Sequence, residues 1–280
     1  MKPLPKIDAV PLFPEERAAL LELLRSLTPE QWAAPTVCDG WPVKDIAAHL
    51  VADDFGRLGW QRDGHSGNRF EPTSPETFEA ELRDFINAQN ELWVQAARRF
   101  SPRVITDMLE WTGRETQALF ESLDPDAMGL GVSWAGETES ANWFDLAREY
   151  TERWHHQAQI RDALGSPMLY EPRLFEPVIK TMVRAIPHTL RDYDSPTGTM
   201  VCMDVADVGW TFDIVRVDNG WWITEEGEGP PTAVVSLSGD TLWRMLTGNS
   251  SKDEILAGCS DIYGDQKLVD AVFDSFALVA

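Results

Sequence analysis

Residues 148–165 read REYTERWHHQAQIRDALG, and this stretch decides how the rest of the chain is interpreted. Its apolar residues recur at helical spacing, and Gly165 is a typical helix stop. Glu152 and His156 are four residues apart, so their side chains lie one turn apart on the same face of the helix. A carboxylate oxygen and an imidazole nitrogen at this spacing can reach one metal ion. The same spacing also occurs in ordinary surface contacts between glutamate and histidine.

A second stretch, PTVCDGWPVKDIAAHL at residues 35–50, contains a third candidate ligand. Pro42 opens an amphipathic helix in which apolar residues repeat at helical spacing, and His49 lies near its middle. If the two helices face each other, His49, Glu152 and His156 form a three-ligand site for one divalent metal ion. One or two coordination positions would then stay open to water or substrate, as in catalytic zinc sites.

His49 and His155 each have an interpretation other than that of a metal ligand. His49 is also compatible with a core histidine that bonds to a backbone carbonyl. His155 points about 100 degrees away from His156 on a helix, so it is expected to face solvent or to support the ligands, and it is not counted as a ligand.

Apolar periodicity predicts further long helices around these two. Residues 14–27 form the first, a Gly-rich hinge follows at residues 63–68, and residues 74–123 contain one or two helices that each begin at Ser-Pro. The last helix is predicted over residues 139–164. Long helices with short links predict an antiparallel four-helix bundle over residues 1–167, an architecture that builds metal sites from facing side chains.

Beyond residue 167 the pattern changes to a mixture of helix and strand. The predicted elements are a helical segment at 172–190, an alternating stretch at 198–226 with an Asp-Asn-Gly turn at 218–220, a strand, cap and helix at 232–251, and a short strand-like turn with a closing helix at 253–280. The alternation and the turn are typical of a hairpin. The fold class is therefore α+β, with a smaller mixed domain at residues 168–280.

Composition excludes several classes of partner. The 280 residues carry 46 acidic and 24 basic side chains, a net charge of -22 that repels nucleic acid and anionic membranes. Three widely spaced cysteines support neither a disulfide framework nor a thiolate zinc site. No apolar run resembles a signal peptide or a membrane span, so we expect a cytoplasmic protein. We also expect a small-molecule substrate, and homodimer formation stays open.

Two segments together resemble the mycothiol-dependent maleylpyruvate isomerase family within the DinB-like bundle superfamily. Residues 35–50 are similar to that family's Thr, Gly-Trp, Val-x-Asp and His-Leu pattern, and residues 148–165 to its Arg-Glu, Glu-x-x-x-His and Ile-Arg-Asp-Ala run. The matching positions are Gly40, Trp41, Asp45, His49, Glu152, His156 and Arg161. The resemblance implies that His49, Glu152 and His156 hold a divalent metal, usually zinc, with nickel also accepted by such ligands.

The carboxy-terminal residues 239–249 and 262–280 look like the sterol-carrier-like domain that often follows this bundle. Members closest to the true isomerase tend to have an arginine after the Leu-Thr-Gly turn, where this chain has Asn249. This departure argues against maleylpyruvate itself as the substrate.

The resemblance implies an enzyme, a transferase or isomerase, that uses mycothiol or another low-molecular-weight thiol as co-substrate. A thiol or water bound to the metal would be the reacting group, and thiol chemistry would lead to S-transfer or to cis-trans isomerisation of a small electrophile. Arg161 is a candidate for binding the carboxylate of a co-substrate, and a structural role is the alternative. Two other functions stay open: a non-catalytic metal-binding protein whose carboxy-terminal domain binds an apolar ligand, and a metal-dependent hydrolase.

Overall fold

A computed structural model of the chain describes residues 2–65, 67, 70–71, 73–74 and 77–277, without the side chain of residue 79. Contacts along the chain divide these residues into two compact units. The helical unit contains residues 8–128 and 141–174, and the sheet unit contains residues 2–7, 129–140 and 175–277. Among the described helices, none combines the length and apolarity needed to cross a bilayer.

The helical unit is built from long helices, as predicted. They are α1 (Phe13–Ser26), the short α2 (Pro29–Trp32), α3 (Val43–Arg57), α4 (Phe78–Ala97), α5 (Pro102–Ser122) and α6 (Asn142–Leu164). A π-helical turn at Leu58–Arg62 continues α3. The predicted stretch 74–123 forms two helices; part of its first Ser-Pro start, and part of the predicted hinge at 63–68, lie outside the described residues.

The local sequence accounts for several of these helix ends. Ser101 caps α5 by accepting a hydrogen bond from the backbone N–H of Val104, and Pro102 follows at the first helical position. Gly165 ends α6 in the left-handed conformation, with φ of 60°, which glycine adopts without steric cost. The carboxy-terminal end of α6, the helix that carries Glu152 and His156, therefore lies where the sequence predicts it.

At its other end α6 differs from the prediction. Residues 139–141 were expected to be helical, but β2 (Glu139–Ala141) pairs with β1 (Met128–Leu130) in a two-stranded sheet, and the helix begins at Asn142. The extended pairing satisfies backbone groups of Ala141 and its neighbours before the helix starts, a contact that periodicity within the segment does not report.

The core of the helical unit lies where α1, α3, α5 and α6 meet, and α4 packs against α3. One cluster of its buried apolar residues consists of Leu20, Leu21, Leu24, Trp32, Val43, Ile46, Ala47, Ala48, Leu50, Val51, Ala97, Ile105, Leu109 and Ile160. Most belong to the apolar stripes from which the helices were predicted. The core leaves α3 and α6 in contact along the faces that carry the candidate ligands.

The sheet unit contains a mixed sheet of five strands among the described residues. The strands are β3 (Met200–Val205), β4 (Trp210–Val217), β5 (Gly220–Thr224), β6 (Ala233–Leu237) and β7 (Cys259–Gly264), in the order β5-β4-β3-β6-β7. Only β3 and β6 pair in parallel. The predicted hairpin at 218–220 joins β4 to β5, so the α+β fold class is confirmed.

The other helices of this part are α7 (Pro172–Met182), α8 (Ala185–Thr189), α9 (Gly239–Leu246), α10 (Lys252–Gly258) and α11 (Gln266–Phe273). Helix α10 was not predicted; it begins with a capping box between Ser251 and Glu254. We predicted one boundary after residue 167, whereas the contacts group residues 2–7 and 129–140 with the sheet unit. A bridge between Pro3 and Thr224 is part of this grouping. The division into domains at residues 1–167 and 168–280 stays a prediction.

A buried ionic network connects the helices of the helical unit. Asp54 on α3 accepts hydrogen bonds from Arg17 on α1 at 2.8 Å and from Arg153 on α6 at 2.7 Å. Arg153 also donates to Glu149 at 2.7 Å, and Arg57 bonds to Glu149 at 2.7 Å. Burial opposes the ionisation of Asp54, but Arg17 and Arg153 outweigh it and hold the pKa of that carboxyl below its usual value.

Removal of the Asp54 carboxylate should strongly destabilise the helical unit. We expect Asp54→Ala to lower the free energy of unfolding by about 3–5 kcal/mol, because Arg17 and Arg153 would be left buried without their shared partner. The matched control is Asp107→Ala, since Asp107 is 63% exposed and 3.7 Å from Arg103, and this change should cost less than about 1 kcal/mol. Urea denaturation of both variants measures the difference; equal losses would contradict the structural role of the network.

Candidate metal site

Two of the predicted ligands meet between α3 and α6. His49 Nε2 lies 3.1 Å from His156 Nε2, although the two residues are 107 positions apart in the chain. Their rings are nearly perpendicular, at 85°, with centroids 4.6 Å apart. Both side chains are largely buried, with exposures of 7% for His49 and 12% for His156. The packing of α3 on α6 thus points two imidazole nitrogens at one small space.

Two carboxylates lie beside this pair. Asp53 Oδ2 is 3.4 Å from His49 Nε2, and Glu152 Oε2 is 3.8 Å from His156 Nε2. Donor atoms of His49, Asp53 and His156 lie within 4.8 Å of one another. Glu152 was predicted from the sequence, whereas Asp53 was not. The missed signal was the spacing, since His49 and Asp53 are separated by four residues on α3, as Glu152 and His156 are on α6.

Neighbouring side chains orient the two histidines. His156 Nδ1 lies 2.8 Å from Gln159 Oε1, so the Nδ1–H donates to this amide oxygen and leaves the Nε2 lone pair free. The Trp41 ring lies 5.4 Å from the His49 ring. His49 Nδ1 is buried and has no hydrogen-bond partner among the described residues. Asp45, one of the positions that match the family pattern, accepts a hydrogen bond from Arg98 at 2.7 Å.

The surroundings keep the histidines neutral and favour protonated carboxyls. Burial lowers the pKa of His156 to about 4, and burial together with His156 lowers the pKa of His49 well below its usual value. Burial raises the pKa of Glu152 to about 7. The pKa of Asp53 is raised well above its usual value by burial and by the nearby Glu149 and Glu152 carboxylates.

These donor atoms fit a divalent metal ion. Ligands about 2.0–2.1 Å from a tetrahedral zinc ion are separated by about 3.3 Å, close to the 3.1 Å between His49 Nε2 and His156 Nε2 and the 3.4 Å between His49 Nε2 and Asp53 Oδ2. Two neutral imidazoles and a carboxylate are a common donor set for first-row ions. The carboxylates of Asp53 and Glu152 are 29% and 23% exposed, so the group can be reached from solvent on their side.

The other two residues of the later motif lie elsewhere. His155 is buried, with an exposure of 2%, so of the two alternatives for it the solvent-facing one was wrong; its ring lies 5.2 Å from the His156 ring. Arg161 donates to Gln157 Oε1 at 2.8 Å and to the carbonyl oxygen of Pro167 at 2.8 Å. Five residues from His156, its side chain leaves the helix about 140° away. These contacts favour the structural role for Arg161.

The chain matches a known protein family and resembles solved structures. A family model described as the mycothiol maleylpyruvate isomerase N-terminal domain matches residues 13–161. Comparison with curated protein sequences returned no significant match.

Two crystal structures, of a mycothiol-dependent maleylpyruvate isomerase and of a histidine-to-alanine mutant of it, are similar with a TM-score of 0.57 and 13% identity. Each alignment covers 92% of this chain and 95% of the other chain. A structure titled UbiJ-SCP2 ubiquinone synthesis protein aligns with a TM-score of 0.26, too low to indicate a shared fold. The sterol-carrier-like character of residues 168–280 therefore stays a prediction.

Exchange of the ligand side chains should identify the metal-binding atoms. We expect the parent to bind about one equivalent of Zn²⁺ and His156→Ala to lose most of it, measured by plasma mass spectrometry after dialysis. The isosteric pair Glu152→Gln and Asp53→Asn separates the two carboxylates. The variant that removes the metal-binding carboxylate should lose at least about tenfold in zinc affinity, and the other variant should lose less. Exposed His65→Ala is the control, and full affinity in both amide variants would contradict carboxylate ligation.

Zinc binding should also release protons near neutral pH. Without metal, Glu152 with a pKa of about 7 is largely protonated at pH 6.5, whereas His156 with a pKa of about 4 is already neutral. Coordination requires the deprotonated carboxylate, so titration calorimetry in buffers of different ionisation enthalpy should detect the protons that it displaces. The release at pH 6.5 should shrink in Glu152→Gln or Asp53→Asn; the same release in both variants and the parent would contradict the raised carboxyl pKa values.

Proposed function

The chain belongs to the mycothiol maleylpyruvate isomerase N-terminal domain family, and on this basis we propose that it is a divalent-metal-dependent enzyme that uses a low-molecular-weight thiol of the mycothiol type. The reaction would be S-transfer to, or cis-trans isomerisation of, a small electrophile. The observation that carries this proposal is the pair of imidazole nitrogens 3.1 Å apart, with two partly exposed carboxylates beside them.

His49 and His156 would hold the metal, together with Glu152 as the sequence predicts or Asp53 as the nearer donor to His49. Zinc suits two imidazoles and one carboxylate in a tetrahedral site, and nickel is the alternative. When bound, a divalent ion lowers the pKa of a coordinated thiol so that the thiolate forms near neutral pH. Gln159 keeps His156 in the tautomer that presents Nε2 to the ion.

The second carboxylate has a separate role in this proposal. Glu152, whose pKa burial raises to about 7 in the metal-free protein, can take up the proton of an incoming thiol at Oε2 and return it to a carbon or leaving group later in the cycle. If Glu152 is the metal ligand, Asp53 is the carboxylate left for this step. A general base with a pKa near the working pH is the most effective at moving a proton in both directions.

The open side of the donor group favours catalysis over a purely structural metal. A structural zinc ion is enclosed by four protein ligands, whereas the carboxylates here are partly exposed and His155 is not part of the donor group. Small-molecule substrates and a cytoplasmic location remain part of the proposal. Asn249 at the position where close relatives of the true isomerase tend to have arginine favours an electrophile other than maleylpyruvate.

Thiol-dependent turnover tests the proposed function. Zinc-loaded protein is assayed with mycothiol, and separately with glutathione, against maleylpyruvate for isomerisation and chlorodinitrobenzene for S-transfer. We expect turnover of at least one electrophile that requires both metal and thiol, and a loss of at least about 100-fold in His156→Ala but not in His65→Ala.

The other outcomes separate the alternatives. Turnover of ester or amide substrates without thiol would replace the proposal by a hydrolase. Stoichiometric metal binding without turnover of any of these substrates would favour a non-catalytic metal-binding protein.

A further inference from the structure

A second cavity lies entirely within the sheet unit, at the end of the β4–β5 hairpin. Its volume is about 510 Å³, enough for a small organic molecule. Arg191, Arg216, His188 and Trp221 line it, with Asp218 at the hairpin turn. None of these residues belongs to the candidate metal site, and the proposed thiol chemistry assigns them no role.

The strand register explains how Arg216 and Trp221 come together. They are directly opposite each other in the antiparallel pairing of β4 and β5, so both side chains emerge on the same face of the sheet. The pair two residues inward on that face is Ile214 with Ile223, and both are buried. Arg216 therefore stands where the apolar face of the sheet ends.

Helical segments provide the opposite wall. His188 lies in α8, and Arg191 in the 3₁₀ turn Leu190–Asp192 that follows it. Gly136 closes on His188 with a φ of 83°, and a Cβ atom on Gly136 would lie only 2.5 Å from His188 Nδ1. Glycine is thus required at this position both by its backbone conformation and by the close approach of the imidazole.

The charges in this cavity are unusual for such an acidic chain. No carboxylate among the described residues forms an ion pair with Arg216, although the chain has 46 acidic and 24 basic residues. Arg191 donates to the carbonyl oxygen of His188 at 2.9 Å and lies 3.5 Å from the largely exposed Asp192 carboxylate. Asp218 also lines the cavity, and its Oδ1 accepts a hydrogen bond from Thr197 at 3.0 Å.

We propose that this cavity binds a small organic oxyanion, a carboxylate or a phosphate ester, with its apolar body against the Trp221 ring. The Arg216 and Arg191 guanidinium groups offer forked donors that match either oxyanion. Trp221 is 6% exposed, and its Nε1 is a donor without a partner among the described residues. The site is separate from the proposed thiol enzyme, so it stands or falls independently of that function.

Titration calorimetry on the full chain tests this site with benzoate, phenyl phosphate and the neutral isostere benzamide. We expect at least one of the two anions to bind with a stoichiometry near one and benzamide to bind at least about tenfold more weakly. Arg216→Gln should weaken anion binding at least about tenfold, as expected for the loss of a charge-assisted hydrogen bond. The stronger of the two anions identifies the carboxylate or the phosphate ester as the preferred group.

Two controls separate this site from general effects. Arg103→Gln removes a 90% exposed arginine and should leave binding unchanged, and His156→Ala should bind the anions as the parent does. Arg191→Gln is a second variant for the same cavity if Arg216→Gln does not keep the parent circular dichroism spectrum. Absence of binding by both anions, equal binding of benzamide, loss of binding in His156→Ala, or full affinity in a folded cavity variant would overturn the proposal.

Discussion

The buried contact of Asp54 with Arg17 and Arg153 is the interaction on which the helical unit depends. It joins α1, α3 and α6 through one carboxylate, and Thr112 on α5 adds a hydroxyl hydrogen bond to the same group at 2.5 Å. One carboxylate on α3 is therefore bonded to side chains of three other helices. Because a buried charge without partners is very costly, arrangements that separate these helices are strongly disfavoured.

This network also determines where the candidate metal site lies. Asp54 directly follows Asp53 on α3, and Arg153 directly follows Glu152 on α6. The contact between Asp54 and Arg153 holds α3 against α6. It therefore also sets the distance between Asp53 and Glu152, the next residues along each helix. Glu149 contributes as well, since it bonds to Arg153 within α6 and to Arg57 on α3.

The same network divides the buried carboxyls into two electrostatic classes. Although burial opposes ionisation, the surrounding arginines hold the pKa of Glu149 far below its usual value and so keep it charged. At Asp53 and Glu152 burial outweighs the nearby arginines and raises the pKa values. The buried carboxyls of the ionic network and those of the candidate metal site therefore have opposite pKa shifts. The chain shares its fold with a maleylpyruvate isomerase at 13% sequence identity.

The sequence by itself determined the long helices α1, α3, α4 and α5, the carboxy-terminal end of α6, the β4–β5 hairpin and the choice of His49 and His156, because periodicity, caps and turn residues act over a few positions. The spacing of His49 and Asp53 is visible in the sequence, but only tertiary structure decided that Asp53 lies beside His156 as well, that Arg161 bonds to Gln157 and Pro167, and that residues 139–141 form a strand. It also decided the pairing of Arg17 with Asp54, 37 positions apart. Local patterns report which face of a helix is apolar, but the partner that meets a given polar side chain depends on how distant helices pack, and that information is absent from any single segment.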